Sequence, residues 1–305
     1  MQKMLPRVCV LLAAFQGMRW IQEQIDSILN QRDVEVVIYV SIDFCNDGTF
    51  EYVRDLSEFR NDIVLLPYGE RFGGAAKNFF RLMHDVDFSK FDYVALADQD
   101  DIWFEEKIVR AHHEISTKNV AAYSSDVIAF WEDGREYLIK KSQPQSEWDY
   151  LFEAAGPGCT YVLRRDLALA IKSLIDRRWD DVEKLGLHDW FFYAFSRANG
   201  FSWIIDDQPG MRYRQHGSNQ VGVNMGFRAY LYRASKIFNG WGLKQSILIA
   251  DLVGLGNHPF VNRWSNGSMT GFMWLACHGW QCRRRPRDKL LFSLSCLALC
   301  FSGKS

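Results

Sequence analysis

The sequence predicts an α/β fold: a mainly parallel central sheet with flanking helices, followed by a helical C-terminal segment. Three observations predict it. Strand-length apolar runs alternate with stretches of helical spacing through the first half of the 305 residues. Acidic residues gather directly after several of those runs, where the carboxyl ends of parallel strands and their ligand crevice are expected. From about residue 225 the alternation stops and the chain becomes aromatic, basic and helical in character.

Residues 8–14 are apolar throughout, as a strand buried on both faces must be. Residues 18–31 carry Ile21, Ile25, Ile28 and Leu29 on one helical face. The next strand, 34–42, stops at Asp43. Asn46-Asp47-Gly48 reads as a turn, with a helix bearing Tyr52, Val53 and Leu56 after it. A short strand at 63–66, a helix at 75–84, a strand at 93–97 and a helix at 105–116 continue the alternation. Beyond residue 120 the pattern loosens. Residues 121–124 and 127–131 read as strands and Gly156-Pro157-Gly158 as a loop. Residues 159–163 read as a strand leading into a helix at 166–174, followed by a helix at 190–198 and an extended run at 203–205. The division expected is residues 1–224 as the α/β domain and 225–305 as a basic, aromatic-rich helical region.

Hydrophobic residues make up 48% of the chain, enough for a sizeable core and against disorder. The net charge of −1 conceals a strong asymmetry. Residues 225–305 hold eleven Lys/Arg against Asp251 and Asp288, while residues 1–224 hold 25 Lys/Arg and 35 acids. The basic end therefore calls for a partner, either an anionic membrane surface or another subunit, and no nucleic acid is expected. The run after Arg7 has the length of a buried strand rather than of a signal core, so no secretory signal is expected. Seven cysteines without a regular framework fit a reducing compartment. The pairs Cys277/Cys282 and Cys296/Cys300 are spaced too widely for a zinc knuckle, and buried thiols are expected. No stretch reaches the roughly 18–20 apolar residues that span a bilayer.

The densest chemical signal is Asp98-Gln99-Asp100-Asp101-Ile102-Trp103, directly after an apolar run. Asp98 and Asp100, two residues apart on an extended chain, lie on the same side and can share one cation, while Gln99 points away. Hard oxygen ligands suit Mg²⁺ or Mn²⁺. The competing reading is an acidic turn in which Asp101 caps a helix starting near Trp103. Asp43, at the second strand tip, is placed to accept from a nucleotide base or ribose, or else makes local turn bonds. Gly73-Gly74 before a helix admits close approach of an anion, yet ordinary junctions use the same pair. Asp189 stands at the start of an apolar helix, either as an N-cap or, beside Trp190 and Phe191, as a general base. His216 lies in a polar loop after a strand-like run, where it could take a metal or a phosphate.

Taken in order, these segments resemble the family 2 glycosyltransferases, most closely their bacterial rhamnosyltransferase-like branch. The match covers about residues 8–222 and includes Val10–Gly17, Gln24–Gln31, Asp43 with Asp47-Gly48-Thr49, Asp98–Trp103, Gly156–Thr160, His188-Asp189-Trp190 and Tyr213–Asn219. The resemblance implies a GT-A fold and a nucleotide-diphospho-sugar donor, dTDP- or UDP-linked, with rhamnose as the first candidate sugar. It implies that Ala13, Phe15, Asp43, Asn78, Asp98 and Gln99 bind the donor, and that Asp98, Asp100 and His216 hold a Mg²⁺ or Mn²⁺ ion. Asp189 matches the family's catalytic base for inverting transfer. Gly158, Cys159, Thr160, His188 and Trp190 fall where a saccharide or lipid-linked acceptor would bind. One departure stands out: Ile42-Asp43-Phe44-Cys45 replaces the family's usual Asp-Asp-Gly-Ser, which puts base preference in doubt. A milder one is Gln16 in place of the usual Asn.

In the C-terminal region, Trp241, Trp264, Trp274 and Trp280 accompany Arg283-Arg284-Arg285-Pro286-Arg287 and an apolar stretch at 290–301. This combination fits attachment to the inner face of the cytoplasmic membrane beside a lipid-linked acceptor. The alternative is a helical subdomain packed on the catalytic core or on a second copy. Two rival functions remain at this stage. A sugar nucleotidylyltransferase needs a glycine-rich loop after the first strand, whereas Ala13–Gly17 has one glycine. A non-catalytic carbohydrate- or partner-binding module would have no use for Asp98, Asp100 and Asp189.

Overall fold

The computed structural model describes residues 5–217 and 240–301. Ser218 and Asn219 of the last motif, and the domain boundary expected at 224/225, lie outside the described residues. The alternation is realised as β1 (Arg7–Ala14), α1 (Ile21–Leu29), β2 (Glu35–Ile42), α2 (Thr49–Phe59), β3 (Ile63–Leu65), α3 (Ala75–Asp85) and β4 (Tyr93–Asp98). Next come β5 (Ile102–Trp103), α4 (Lys107–Lys118), β6 (Ala122–Ser125), β7 (Val127–Phe130), β8 (Glu136–Ile139) and β9 (Val162–Arg164). They are followed by α5 (Arg165–Arg177), α6 (Trp179–Val182), α7 (His188–Ala198), β10 (Trp203–Asp206) and β11 (Met211–Arg214).

The main sheet has the order β10-β6-β9-β4-β1-β2-β3. Strands β4, β1, β2 and β3 run parallel, as do β10 and β6, and only β9 runs against its neighbours. β1 is buried at every position after Arg7, which explains its lack of polar alternation. Winding runs from β1 outward through β2 and β3, then returns to the other side of β1 with β4. That reversal is the topological switch point where open sheets form a ligand crevice. A second, four-stranded sheet has the order β5-β11-β7-β8.

Two local expectations change. Ile102–Trp103 forms a strand antiparallel to β11, and the helix starts only at Lys107, so Asp101 caps no helix. Residues 158–160 form a 3-10 turn ahead of β9, because Thr160 donates to the Pro157 carbonyl and Tyr161 N–H to the Gly158 carbonyl instead of pairing with a strand.

The chain divides into two compact units. Among the described residues the first comprises 5–142, 156–189 and 201–217, and holds both sheets. The second comprises 143–155, 190–200 and 240–301. Its C-terminal helices are α8 (Trp241–Leu252), α9 (Pro259–Asn262), α10 (Met269–Cys277), α11 (Gly279–Cys282) and α12 (Pro286–Phe301). Its core is aromatic: Trp148 stacks on Phe260 at 4.2 Å, and Phe152 meets Trp264 and Phe292. A buried ionic knot runs through it. Asp149 accepts from the Tyr193 hydroxyl at 2.9 Å, from Arg284 at 3.1 Å and from Arg197 at 3.2 Å. No helix among the described residues is long and apolar enough to cross a membrane.

Candidate active site

The register of the central strands builds the site. Ala13 of β1 stands opposite Ser41 of β2 and opposite Asp98 of β4. The segments after these three strands therefore emerge side by side, at neighbouring-strand spacing of about 4.8 Å.

The loop after β1 is held by its neighbour. Phe15 N–H donates to Gln99 Oε1 at 2.7 Å, and Gln99 Nε2 donates to the Phe15 carbonyl at 2.7 Å. Gly17 is needed here, since a Cβ would lie 2.2 Å from Gln99 Oε1. Gln16 takes a positive φ of 49° to complete the bend. The Phe15 ring is left exposed at the rim, while Ala13 is buried. Asp47 accepts from Met18 N–H and from Thr49, so it shapes the turn, as such residues do.

Asp43 is buried, and its two oxygens accept from Phe72 N–H at 2.9 Å and Gly73 N–H at 2.8 Å. It thereby ties the glycine pair to the tip of β2. Asn78, also buried, donates to the Ser41 carbonyl at 3.0 Å and bridges towards Ala14. Both residues hold the strand ends in register around the crevice.

The acidic turn after β4 carries the charge. Asp98 is half-buried, whereas Asp100 and Asp101 are buried. Asp100 Oδ2 lies 2.6 Å from His216 Nε2, and the His216 ring stacks on Trp20 at 4.1 Å. Arg214 grips the same turn: its N–H donates to Asp101 Oδ1 at 3.0 Å and its Nε to the Asp100 carbonyl at 2.7 Å. Its guanidinium also pairs with Glu23. Asp98, Asp101 and the thiol of Cys159 place their ligand atoms within 4.8 Å of one another. Asp101 Oδ2 is enclosed and has no hydrogen-bond partner among the described residues. The two carboxylates, as hard oxygen ligands, fit a divalent cation, and an unbonded buried oxygen is costly. The electrostatics agree. Enclosure of its carboxylate, then the charges of Asp100 and Asp189, raise the pKa of Asp98. Enclosure, then Asp100 and Asp98, push Asp101 well above the ordinary range.

Sequence reasoning missed Lys107, which lies under this group. It is buried, donates to the Cys159 carbonyl at 2.6 Å and sits 3.2 Å over the Trp103 ring. Burial lowers its pKa to about 7. Its signal was a lysine on the apolar stripe of α4, with Ile108, Ala111 and Ile115. Arg214, Glu23 and Trp20 were also missed, because each is an ordinary surface residue until the fold brings it to the turn.

On the other side of β4, Gly158, His188 and Asp189 converge. A Cβ on Gly158 would lie 2.4 Å from His188 Nε2 and 3.3 Å from Asp189 Cβ. His188 stacks on Phe79 at 4.0 Å, and burial lowers its pKa to about 3, so the ring is neutral. α7 begins at His188, which puts Asp189 inside the first turn rather than at the N-cap. Cys159 and Thr160 are fully enclosed, Thr160 donating to the Pro157 carbonyl at 2.7 Å. Trp190 belongs to the second unit, where its indole N–H donates to the Tyr150 carbonyl at 2.9 Å.

Comparison with known proteins bears on the family and the fold. Residues 6–139 match the model of the family described as glycosyltransferase like family 2. The chain is 40% identical over 284 residues to a dTDP-rhamnosyl transferase, RfbG, of Shigella flexneri, covering 93% of this chain and 98% of that protein. Among solved structures, TarS of S. aureus (residues 1–349, in complex with UDP) superposes with a TM-score of 0.55 at 14% identity, over 97% of this chain and 89% of that one. The mannosyltransferase PcManGT of Pyrobaculum calidifontis, in complex with GDP-Man and Mn²⁺, gives 0.52 at 15% identity, over 97% and 86%. Such distant likenesses speak for the fold, and the fold is GT-A. The nucleotidylyltransferase and non-catalytic readings give way to that of a transferase. An α/β sheet with this switch-point crevice, the ordered motifs and a 40% identical relative of nearly the same length together show that the chain belongs to glycosyltransferase family 2, in its rhamnosyltransferase-like branch.

Proposed function

We propose that this glycosyltransferase moves a sugar, rhamnose first among candidates, from a dTDP-linked donor to a hydroxyl of a saccharide or lipid-linked acceptor, with inversion and with a divalent cation. A UDP-hexose is the second donor choice. The setting is synthesis of a bacterial surface polysaccharide at the cytoplasmic face of the membrane, with residues 1–224 as the catalytic part and 225–305 as the attaching part. The observation that carries the reading is that Asp189 converges with Gly158 and His188 beside the acidic turn after β4, close enough for its charge to act on Asp98. The dTDP donor is supported by the Shigella flexneri relative's own name.

In this reading Ala13 and Phe15 line the nucleotide pocket, Gln99 fixes Phe15, and Asn78 fixes the strand ends. Asp43 frames the base with the loop it already holds. Asp98, Asp100 and His216 would hold Mg²⁺ or Mn²⁺, which would supply charge stabilisation for the departing diphosphate. Gly158 and His188 border the acceptor, with Cys159 and Thr160 supporting the turn from inside. Asp189 takes the proton of the acceptor hydroxyl as its oxygen bonds to the anomeric carbon. The carbon–oxygen bond to the nucleoside diphosphate breaks with its electron pair leaving on that phosphate.

The test is a transfer assay with dTDP-rhamnose and Mn²⁺ in parallel with calorimetric binding of dTDP. Asp189→Asn is expected to lower turnover about 10²–10⁴-fold with dTDP affinity unchanged. Near-normal turnover in that variant would refute the base assignment, and full activity in EDTA would refute the cation.

A further inference from the structure

We infer that one face of the C-terminal helices, the leucine stripe of α12 with the exposed side chains of α10 and α11, docks on an anionic lipid leaflet with α12 lying in its plane. The inference deepens the membrane part of the proposed function and rests on it only for the biological setting.

Helix α12 is 16 residues long, about 24 Å. It carries no charge after Lys289. Leu290, Leu294 and Leu297 share one face by their spacing and are 62, 52 and 41% exposed. One flank of the helix is used up internally, with Phe292 meeting the Phe152 ring at 4.9 Å. Ser293 donates to the Ala276 carbonyl of α10 at 2.7 Å, and Cys296 is buried. Gly279 packs so closely that a Cβ would lie 2.2 Å from Ser293 Oγ. The helices packed on α12 add exposed Met269 and Met273, one turn apart on α10, and exposed Trp280 on α11. A water-exposed cluster of this kind marks an interaction surface.

Charge identifies the occupant. The N-terminal end of α12 offers Arg285, Arg287 and Lys289, with Asp288 as its one acid. Arg283 and Arg284, which the sequence groups with them, face inward: Arg283 donates to the Phe152 carbonyl and Arg284 to Asp149 and the Ala154 carbonyl. An apolar stripe with a cationic end and a tryptophan beside it matches an anionic headgroup boundary. The helix does not cross, since no described helix is long and apolar enough.

The test is flotation of the full chain with vesicles of phosphatidylcholine, with and without phosphatidylglycerol. The wild type is expected to float with the anionic vesicles. The triple variant Leu290→Gln, Leu294→Gln, Leu297→Gln should lose at least about tenfold in partitioning. Arg287→Gln with Lys289→Gln, a gentler change, should cost about fivefold per residue and erase the preference for anionic lipid. Donor turnover in solution should be unchanged in both variants. A wild type that stays in the dense fraction overturns the inference, as does a folded leucine variant that floats undiminished. So does sedimentation showing a wild-type dimer that the leucine variant dissociates. Loss of transferase function with flotation intact would instead strike the proposed function and leave this inference standing.

Discussion

Asp98 carries part of the electrostatic cost of the site. Burial first, then the charges of Asp100 and Asp189, raise its pKa to about 7, against an ordinary value near 3.9 in the unfolded chain. Between those values the folded state binds more protons than the unfolded one, so this group's contribution to stability falls as pH rises through the window. Asp98→Asn in the metal-free protein is therefore expected to raise the melting temperature most at pH 8 and hardly at all near pH 4. Thermal unfolding at both pH values checks it, and a gain that is the same at both would show that Asp98 is not crowded. The acids themselves were legible in the sequence because three carboxylates in four positions after an apolar run are hard to place otherwise. Their partners were not. That Asp101 joins Asp98 and Cys159 in one cluster, and takes a hydrogen bond from Arg214 113 positions away, is set by tertiary packing that no local pattern announces.

At the level of elements, strands buried on both faces were readable from unbroken apolar runs, and β1 and β4 fall where those runs lie, with the half-exposed β2 between its own signals. The short pieces were not readable. β5 is two residues long and exists because β11 pairs with it, a contact no local pattern announces. The apolar Cys159 and Tyr161–Leu163 make 159–163 read as one strand, whereas Cys159 and Thr160 belong to the 3-10 turn that Gly158 opens, and only the packing of His188 reveals why a glycine opens it. This turn and the start of α7 form one mechanical unit. Gly158→Ala would drive a methyl to 2.4 Å from the His188 ring and towards Asp189. The ring cannot yield freely, since it is stacked on Phe79. The expected result is a fall in kcat of at least about tenfold, because small misplacements of a reacting group cost that much or more. Affinity for dTDP, measured by calorimetry, should stay near wild type. A variant with normal kcat would separate the turn from the chemistry.

Across the whole chain, charge is distributed less simply than the sequence suggests. Residues 225–305 read as a basic block seeking an external partner, yet two of its arginines are neutralised within their own unit. Arg284, with its side chain 2% exposed, pairs with Asp149, and its backbone N–H donates to Glu153 Oε1 at 2.7 Å. Both acids come from residues 143–155, which the linear reading assigned to the catalytic part; only long-range packing reveals that they share a unit with α12. Removing one member of a fully buried ionic group leaves the rest uncompensated, which typically costs about 3–5 kcal/mol. Arg284→Met should therefore destabilise the second unit by about that amount, tempered by the Tyr193 hydroxyl and Arg197 that still reach Asp149. Arg287→Gln, three positions on and exposed, should change stability by no more than about 0.5 kcal/mol. Chemical denaturation of the two variants side by side tests the distinction. Equal small losses would mean that Arg284 is solvated in solution and that the basic block acts outward as a whole, whereas the expected inequality leaves Arg285, Arg287 and Lys289 as the charges available to a surface.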